Sequence, residues 1–130
     1  MAKVLGVGGV FFKAPDPKVL KEWYQRVLGF ELTSWGGVIF KPLPYGVTVW
    51  SPFPEKTTHF EPSHTAFSIN FVVDDMAGIL ARVRKEGVEV LKEEEEPSQG
   101  KFAWIMDPAG VKIELWQPAP EEHGLTPGAA

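Results

Sequence analysis

The stretch "VTVWSPFP", residues 47–54, and the stretch "IELWQPAP", residues 113–120, follow one pattern of apolar, polar, apolar, Trp, polar, Pro. The likeness extends along the chain. "VFFKAPD" (10–16) overlays "INFVVDD" (69–75), with Phe12 on Phe71, and "GFELT" (29–33) overlays "GVEVL" (87–91). An internal repeat constrains a fold more than any composition does, because each unit must be completed by a neighbour of its own kind. Here the unit reads strand, helix, strand, strand, strand. One such sheet cannot cover its own concave face, whereas two side by side can curl into a trough.

Local signals give the elements. Residues 4–14 alternate as a strand, with Val10, Phe12 and Ala14 on one face and Gly9, Phe11 and Lys13 on the other. Asp16 is placed to cap a helix that starts at Pro17, where a missing N–H costs nothing. Leu20, Trp23, Tyr24, Val27 and Leu28 form its apolar stripe, and Gly29 ends it. Three short strands are predicted in "FELTSW", "GVIFK" and "VTVWS", and a Pro-rich linker over 52–65. The order then restarts. "SINFVV" is a strand, Asp74 and Asp75 introduce a second helix, and Gly87 closes it. "VEVLK", "KFAWIM" and "KIELW" are strands, the last two joined by the turn "DPAG". The run Glu93–Glu96 is expected as a solvated loop, and Trp104 on the face opposite Glu114 if Met106 pairs with Val111.

The expected organisation is one α+β domain over 1–120, made of two βαβββ modules (about 4–51 and 66–118) in a curved mixed sheet around a cleft. Residues 121–130 are expected as a polar, Pro- and Gly-rich tail. A chain of 130 residues can bury a core without staples. It has no cysteine, which excludes disulfides, thiolate catalysis and Cys-ligated zinc, and suits a reducing cytoplasm. No apolar run approaches a membrane span, and the N-terminus reads as mature protein rather than a signal peptide. With a net charge of −4 and no basic cluster, nucleic acid and anionic membranes are poor partners. A small molecule or another protein is left.

The order, spacing and duplication resemble the vicinal oxygen chelate superfamily of glyoxalases, bleomycin-resistance proteins and extradiol dioxygenases. The resemblance covers about 4–118 and is most specific in "WYQRVLGFEL" (23–32), "INFVVDDM" (69–76) and "DPAGVKIELWQP" (107–118). Val111 stands where the family's last hairpin usually has Asn. The resemblance implies two βαβββ units around a cleft and often a homodimer. In the enzymes it also implies one divalent metal, held by the first and last strands of each unit; the bleomycin-resistance members bind and sequester a compound without turnover.

Placed on this chain through its repeat, the four ligand positions are Gly9, Thr48, Ser68 and Glu114. Glycine has no donor, and neutral hydroxyls are weak ligands to zinc, nickel or iron. No cofactor is therefore expected, and a divalent metal only if His59 or His64 of the linker, or a second subunit, supplied ligands; both histidines read as solvated or interfacial, and His123 as part of the tail. The expected pocket is lined by Phe11, Lys13, Thr48, Trp50, Ser68, Asn70, Glu114 and Trp116, aromatic walls with a few polar groups. Trp23 and Tyr24 read as helix packing, Trp35 and Trp104 as core or strand edge.

Two functions follow. One is a binding module that holds a small, partly aromatic molecule without the family's metal. The other is an isomerase, lyase or dioxygenase-type enzyme, using a divalent metal or Glu114 as catalytic general base with Ser68, Thr48 or Asn70 orienting the substrate. A cleft closed by a partner subunit and serving assembly alone is a third reading.

Overall fold

The computed structural model describes residues 2–3, 5 and 7–119. The expected tail over 121–130, His123 with it, lies outside the described residues, as do positions 4 and 6 of the first predicted strand. The architecture is α+β. Helix α1 spans Pro17–Leu28, strand β1 Ser68–Val72, helix α2 Met76–Lys85, and strands β2, β3 and β4 span Lys92–Glu96, Gly100–Met106 and Lys112–Pro118. The four strands form one open mixed sheet in the order β1-β4-β3-β2, with β1 parallel to β4 and the other pairs antiparallel.

The helices begin and end where their sequence signals place them. The Asp16 side chain accepts from the Val19 N–H, and Gly29 takes a left-handed conformation that no β-carbon would favour. Asp75 caps α2 in the same way through the Gly78 N–H. Leu20, Trp23, Tyr24 and Val27 of α1 and Leu80 and Val83 of α2 bury their stripes on one sheet face, against Ala103, Ile105, Ile113 and Leu115. Arg82 of α2 donates to the carbonyls of Gln25 and Arg26 in the last turn of α1, and so ties the two helices together.

Asp107 joins helix, turn and sheet. One carboxylate oxygen accepts the N–H groups of Ala109 and Val111, fixing the "DPAG" turn. The other accepts the Tyr24 hydroxyl at 2.6 Å in a buried contact. Asp107, not Met106, faces Val111 across the turn, and Met106 pairs with Lys112.

That register corrects the expected position of Trp104. It pairs directly with Glu114 and shares its face. The Glu93–Glu96 run is not a loop either. It lies in β2, paired with β3 and exposed along its length, a sheet edge whose like charges discourage pairing with a further strand.

The larger difference is in the first half. Among the described residues, 7–67 hold no strand. The alternation in "VFFKA" and "VTVW" is present, but a ladder needs a partner strand, and Gly36, Gly37, Pro42, Pro44 and Gly46 interrupt the segments between. Phe30 does reach the core, packing edge-on against Phe71, and the exposed Phe40 rests edge-on against Phe30.

Candidate functional site

On the sheet face away from the helices, register sets Ser68 beside Lys112, Asn70 beside Glu114, and Val72 beside Trp116. The next strand adds Trp104 beside Glu114 and Phe102 beside Trp116. Alternation along a strand puts these side chains on one face, so the tertiary pairing draws a polar row and an aromatic row together.

Glu114 is the centre. Its Oε1 accepts from Asn70 Nδ2 at 2.6 Å, and its Oε2 accepts from Trp104 Nε1 at 2.8 Å. The carboxylate is thereby fixed in orientation. Nε2 of His59 stands 3.7 Å from the same Oε2. His59 stacks on Phe53 with ring centroids 5.2 Å apart, and its carbonyl accepts from Lys112 Nζ at 2.7 Å. The linker is therefore docked over the sheet; Ser63, which is buried, also donates to the Gly110 carbonyl. His59 was read as solvated or interfacial because its approach depends on this docking, which no local pattern announces.

Aromatic rings continue the site. Phe102 lies near-parallel to Trp104 and to Trp116, with centroids 6.1 and 6.0 Å away. The Trp116 indole N–H is engaged by the Gln99 carbonyl at 2.8 Å. Lys92 and Lys112 each bring an ammonium 5.9 Å from the Trp104 ring centre, within cation–π range. Burial lowers the Lys112 pKa below its ordinary value; Glu114 opposes that shift, Lys92 adds to it and Glu61 opposes it.

A groove of about 480 Å³ opens here, lined by His59, Glu94, Glu95, Glu96, Gln99, Phe102, Trp104 and Glu114. Its volume suits a small organic molecule. A smaller groove of about 220 Å³ lies along the far side of β2, between Met76, Glu93, Glu94, Glu95, Lys101 and Phe102.

Of the residues expected in the pocket, Ser68, Asn70, Glu114 and Trp116 share this face. Ser68 is engaged with the Lys112 carbonyl at 2.8 Å, and Trp116 is buried against Phe102 and does not line the groove. Phe11, Lys13, Thr48 and Trp50 are exposed on unpaired segments and do not line the groove. His64 is exposed, and no three His, Asp or Glu side chains among the described residues stand close enough to share an ion. The residues that sequence reasoning missed are His59, Phe102 and Trp104. A one-residue correction of the β3–β4 register would have found the last two.

Several solved structures share the fold. A glyoxylase/bleomycin resistance protein/dioxygenase domain from Frankia sp. EAN1pec is 17% identical, with 89% of this chain and 99% of that one covered and a TM-score of 0.55. VPC_CASS1, from the mobile metagenome of V. Pseudocholerae, is 16% identical over 91% of this chain and 100% of its own, with a TM-score of 0.54. TnmS3, an antibiotic binding protein from Streptomyces sp. CB03234, is 21% identical over 82% and 89%, with a TM-score of 0.52. Comparison with curated proteins gives no match. The family model matches residues 10–115, and the chain belongs to the Glyoxalase/Bleomycin resistance protein/Dioxygenase superfamily.

Proposed function

We propose that this protein binds a small, partly aromatic molecule in the Glu114 groove, as a homodimer in the cytoplasm, and holds it without the metal used by the family's enzymes. The observation that carries the reading is the Glu114 carboxylate, pinned by Asn70 and Trp104 beside the stacked Phe102 and Trp104 rings. A fixed acceptor next to a flat apolar wall gives a ligand one oriented hydrogen bond and one stacking surface. Retention without turnover is a use to which this fold lends itself; TnmS3 is described as antibiotic binding. The absence of cysteine supports a reducing compartment. Among the described residues, no helix is long and apolar enough to cross a membrane.

The donor set does not fit a divalent metal in the family's mode. Gly9 offers no side-chain atom, Thr48 is exposed, Ser68 is engaged with a carbonyl, and Glu114 alone of the four supplies a charged donor.

A thermal-shift screen of aromatic compounds, followed by tryptophan fluorescence, tests the reading. A true ligand at 100 times its Kd adds about 2.7 kcal/mol of stability. Silence across a broad set removes the reading's support. Near-stoichiometric divalent metal in the purified protein, lost in Glu114→Ala, replaces it with the enzyme reading.

A further inference from the structure

Trp104 lies on the sheet face away from the helices, yet it is only 7% exposed. Part of its cover comes from two lysines of the same chain. The ammonium groups of Lys92 and Lys112 each stand 5.9 Å from the ring centre. The two are held differently. Lys112 Nζ donates to the His59 carbonyl at 2.7 Å and is tied to the docked linker. Lys92 Nζ stands 2.9 Å from Glu94 Oε1, in a pair whose side chains are both exposed. Such a pair contributes little and is screened by salt. Lys92 can therefore leave the ring at small cost, whereas Lys112 cannot.

Register explains why these groups meet. Lys92 pairs with Trp104 and Glu94 with Phe102 across β2 and β3, and Trp104 pairs in turn with Glu114 of β4. Alternation puts all five side chains on one face. An indole face beside a carboxylate supplies both things that an organic cation needs, a ring quadrupole and a counter-charge. The remainder of the groove has the same sign. Four of its lining residues, Glu94, Glu95, Glu96 and Glu114, are carboxylates, and none is Lys or Arg. A cleft lined by one sign of charge concentrates molecules of the other.

We infer that Glu94 and Trp104 form a subsite for an organic cation, now occupied by the ammonium of Lys92, and that the groove takes a flat aromatic molecule bearing a positive charge. This rests on the binding reading proposed above and gives its ligand a charge. Strand spacing sets the reach of that ligand. Glu94 and Glu114 lie two strands and one same-face step apart, roughly 12 Å at the backbone. A molecule whose cation displaces Lys92 at Glu94 lays its rings on Phe102 and points toward Glu114.

Three fluorescent probes test the charge. Thioflavin T is an aromatic cation, 2-(4-dimethylaminophenyl)benzothiazole is its neutral counterpart, and 8-anilinonaphthalene-1-sulfonate is an aromatic anion. In titrations at low salt, thioflavin T is expected to bind at least tenfold more tightly than the neutral compound, and the anion most weakly. Glu94→Gln is expected to remove most of the cation's advantage and leave the neutral compound's affinity unchanged. Lys92→Ala is expected to strengthen thioflavin T binding severalfold, because it frees the subsite. Lys85→Ala loses the same charge at the end of α2, away from the groove, and is expected to change nothing. All three positions are exposed, and circular dichroism checks that the variants keep their fold. Equal affinity for the cation and its neutral counterpart overturns the inference and leaves the binding reading standing. So does tightest binding of the anion, which would make Lys92 and Lys112 the recognition groups. A Lys92→Ala variant no tighter than Lys85→Ala also overturns it. Failure of all three probes to bind removes the inference together with the reading beneath it.

Discussion

Removing the Tyr24 hydroxyl isolates one buried bond that joins the first half of the chain to the hairpin carrying Glu114. In Tyr24→Phe, Asp107 Oδ2 loses its donor at 2.6 Å, while Oδ1 keeps the N–H groups of Ala109 and Val111. Tyr24 and Asp107 are 6% and 5% exposed, so water does not readily replace the donor. A hydrogen bond to a charged group contributes about 1.5–3 kcal/mol, and an unsatisfied buried acceptor costs a similar amount; a loss of about 2 kcal/mol is expected. For a chain of this size that lowers Tm by roughly 6–10 °C. Urea unfolding should show a lower midpoint at unchanged slope. Alkaline pH supplies a second readout. Burial first, then the bond to Asp107 and its charge, raises the Tyr24 pKa far above the ordinary 10.0. The unfolded chain therefore gives up this proton before the folded one does. The stability held by Tyr24 is complete below pH 10.0 and falls as pH climbs above it. Phenolate absorbance should show Tyr45 ionising in the native protein, with Tyr24 following only on unfolding; the alkaline loss should shrink in Tyr24→Phe. A stability change under about 0.5 kcal/mol, with both tyrosines titrating together in the native state, would refute the reasoning.

Two further substitutions probe the site and its frame. Glu114→Gln should weaken ligand binding about tenfold or more with little change in Tm, because the amide can still accept from Trp104 and donate to a turned Asn70; unchanged affinity in calorimetry would remove Glu114 from recognition. Gly100→Ala should cost about 3 kcal/mol or more in urea unfolding, since Gly100 sits at φ 122° and an added β-carbon collides with the backbone of Gln117, Pro118 and Ala119; a near-neutral result would mean that the start of β3 yields more easily than its packing implies.

How much was legible differs between the two halves for one reason. Caps, helix stripes and the Asp-Pro-Ala-Gly turn are encoded by residues close in sequence, and Asp16, Asp75, Gly29 and strands β1, β3 and β4 stand where those signals put them, whereas the strand expected over 88–92 forms at Lys92–Glu96 instead. The repeat gave the α+β class and, through alternation, the common face of Ser68, Asn70, Glu114 and Trp116. Strand pairing is not a local property. A shift of one residue at the β3–β4 turn moved Trp104 from the far face to a bond with Glu114.

Tertiary structure alone brought His59 from the linker to Glu114, made Glu93–Glu96 part of an edge strand, and left Phe11 and Trp50 largely exposed. Each depends on which distant segment arrives to fill the adjacent space. The amino-acid order by itself determined the repeated units and the poverty of metal ligands at Gly9, Thr48 and Ser68, because those follow from residue identity. The site's actual contacts were decided in three dimensions, because a hydrogen bond or a stacked ring exists only where the backbone places both partners within a few ångströms.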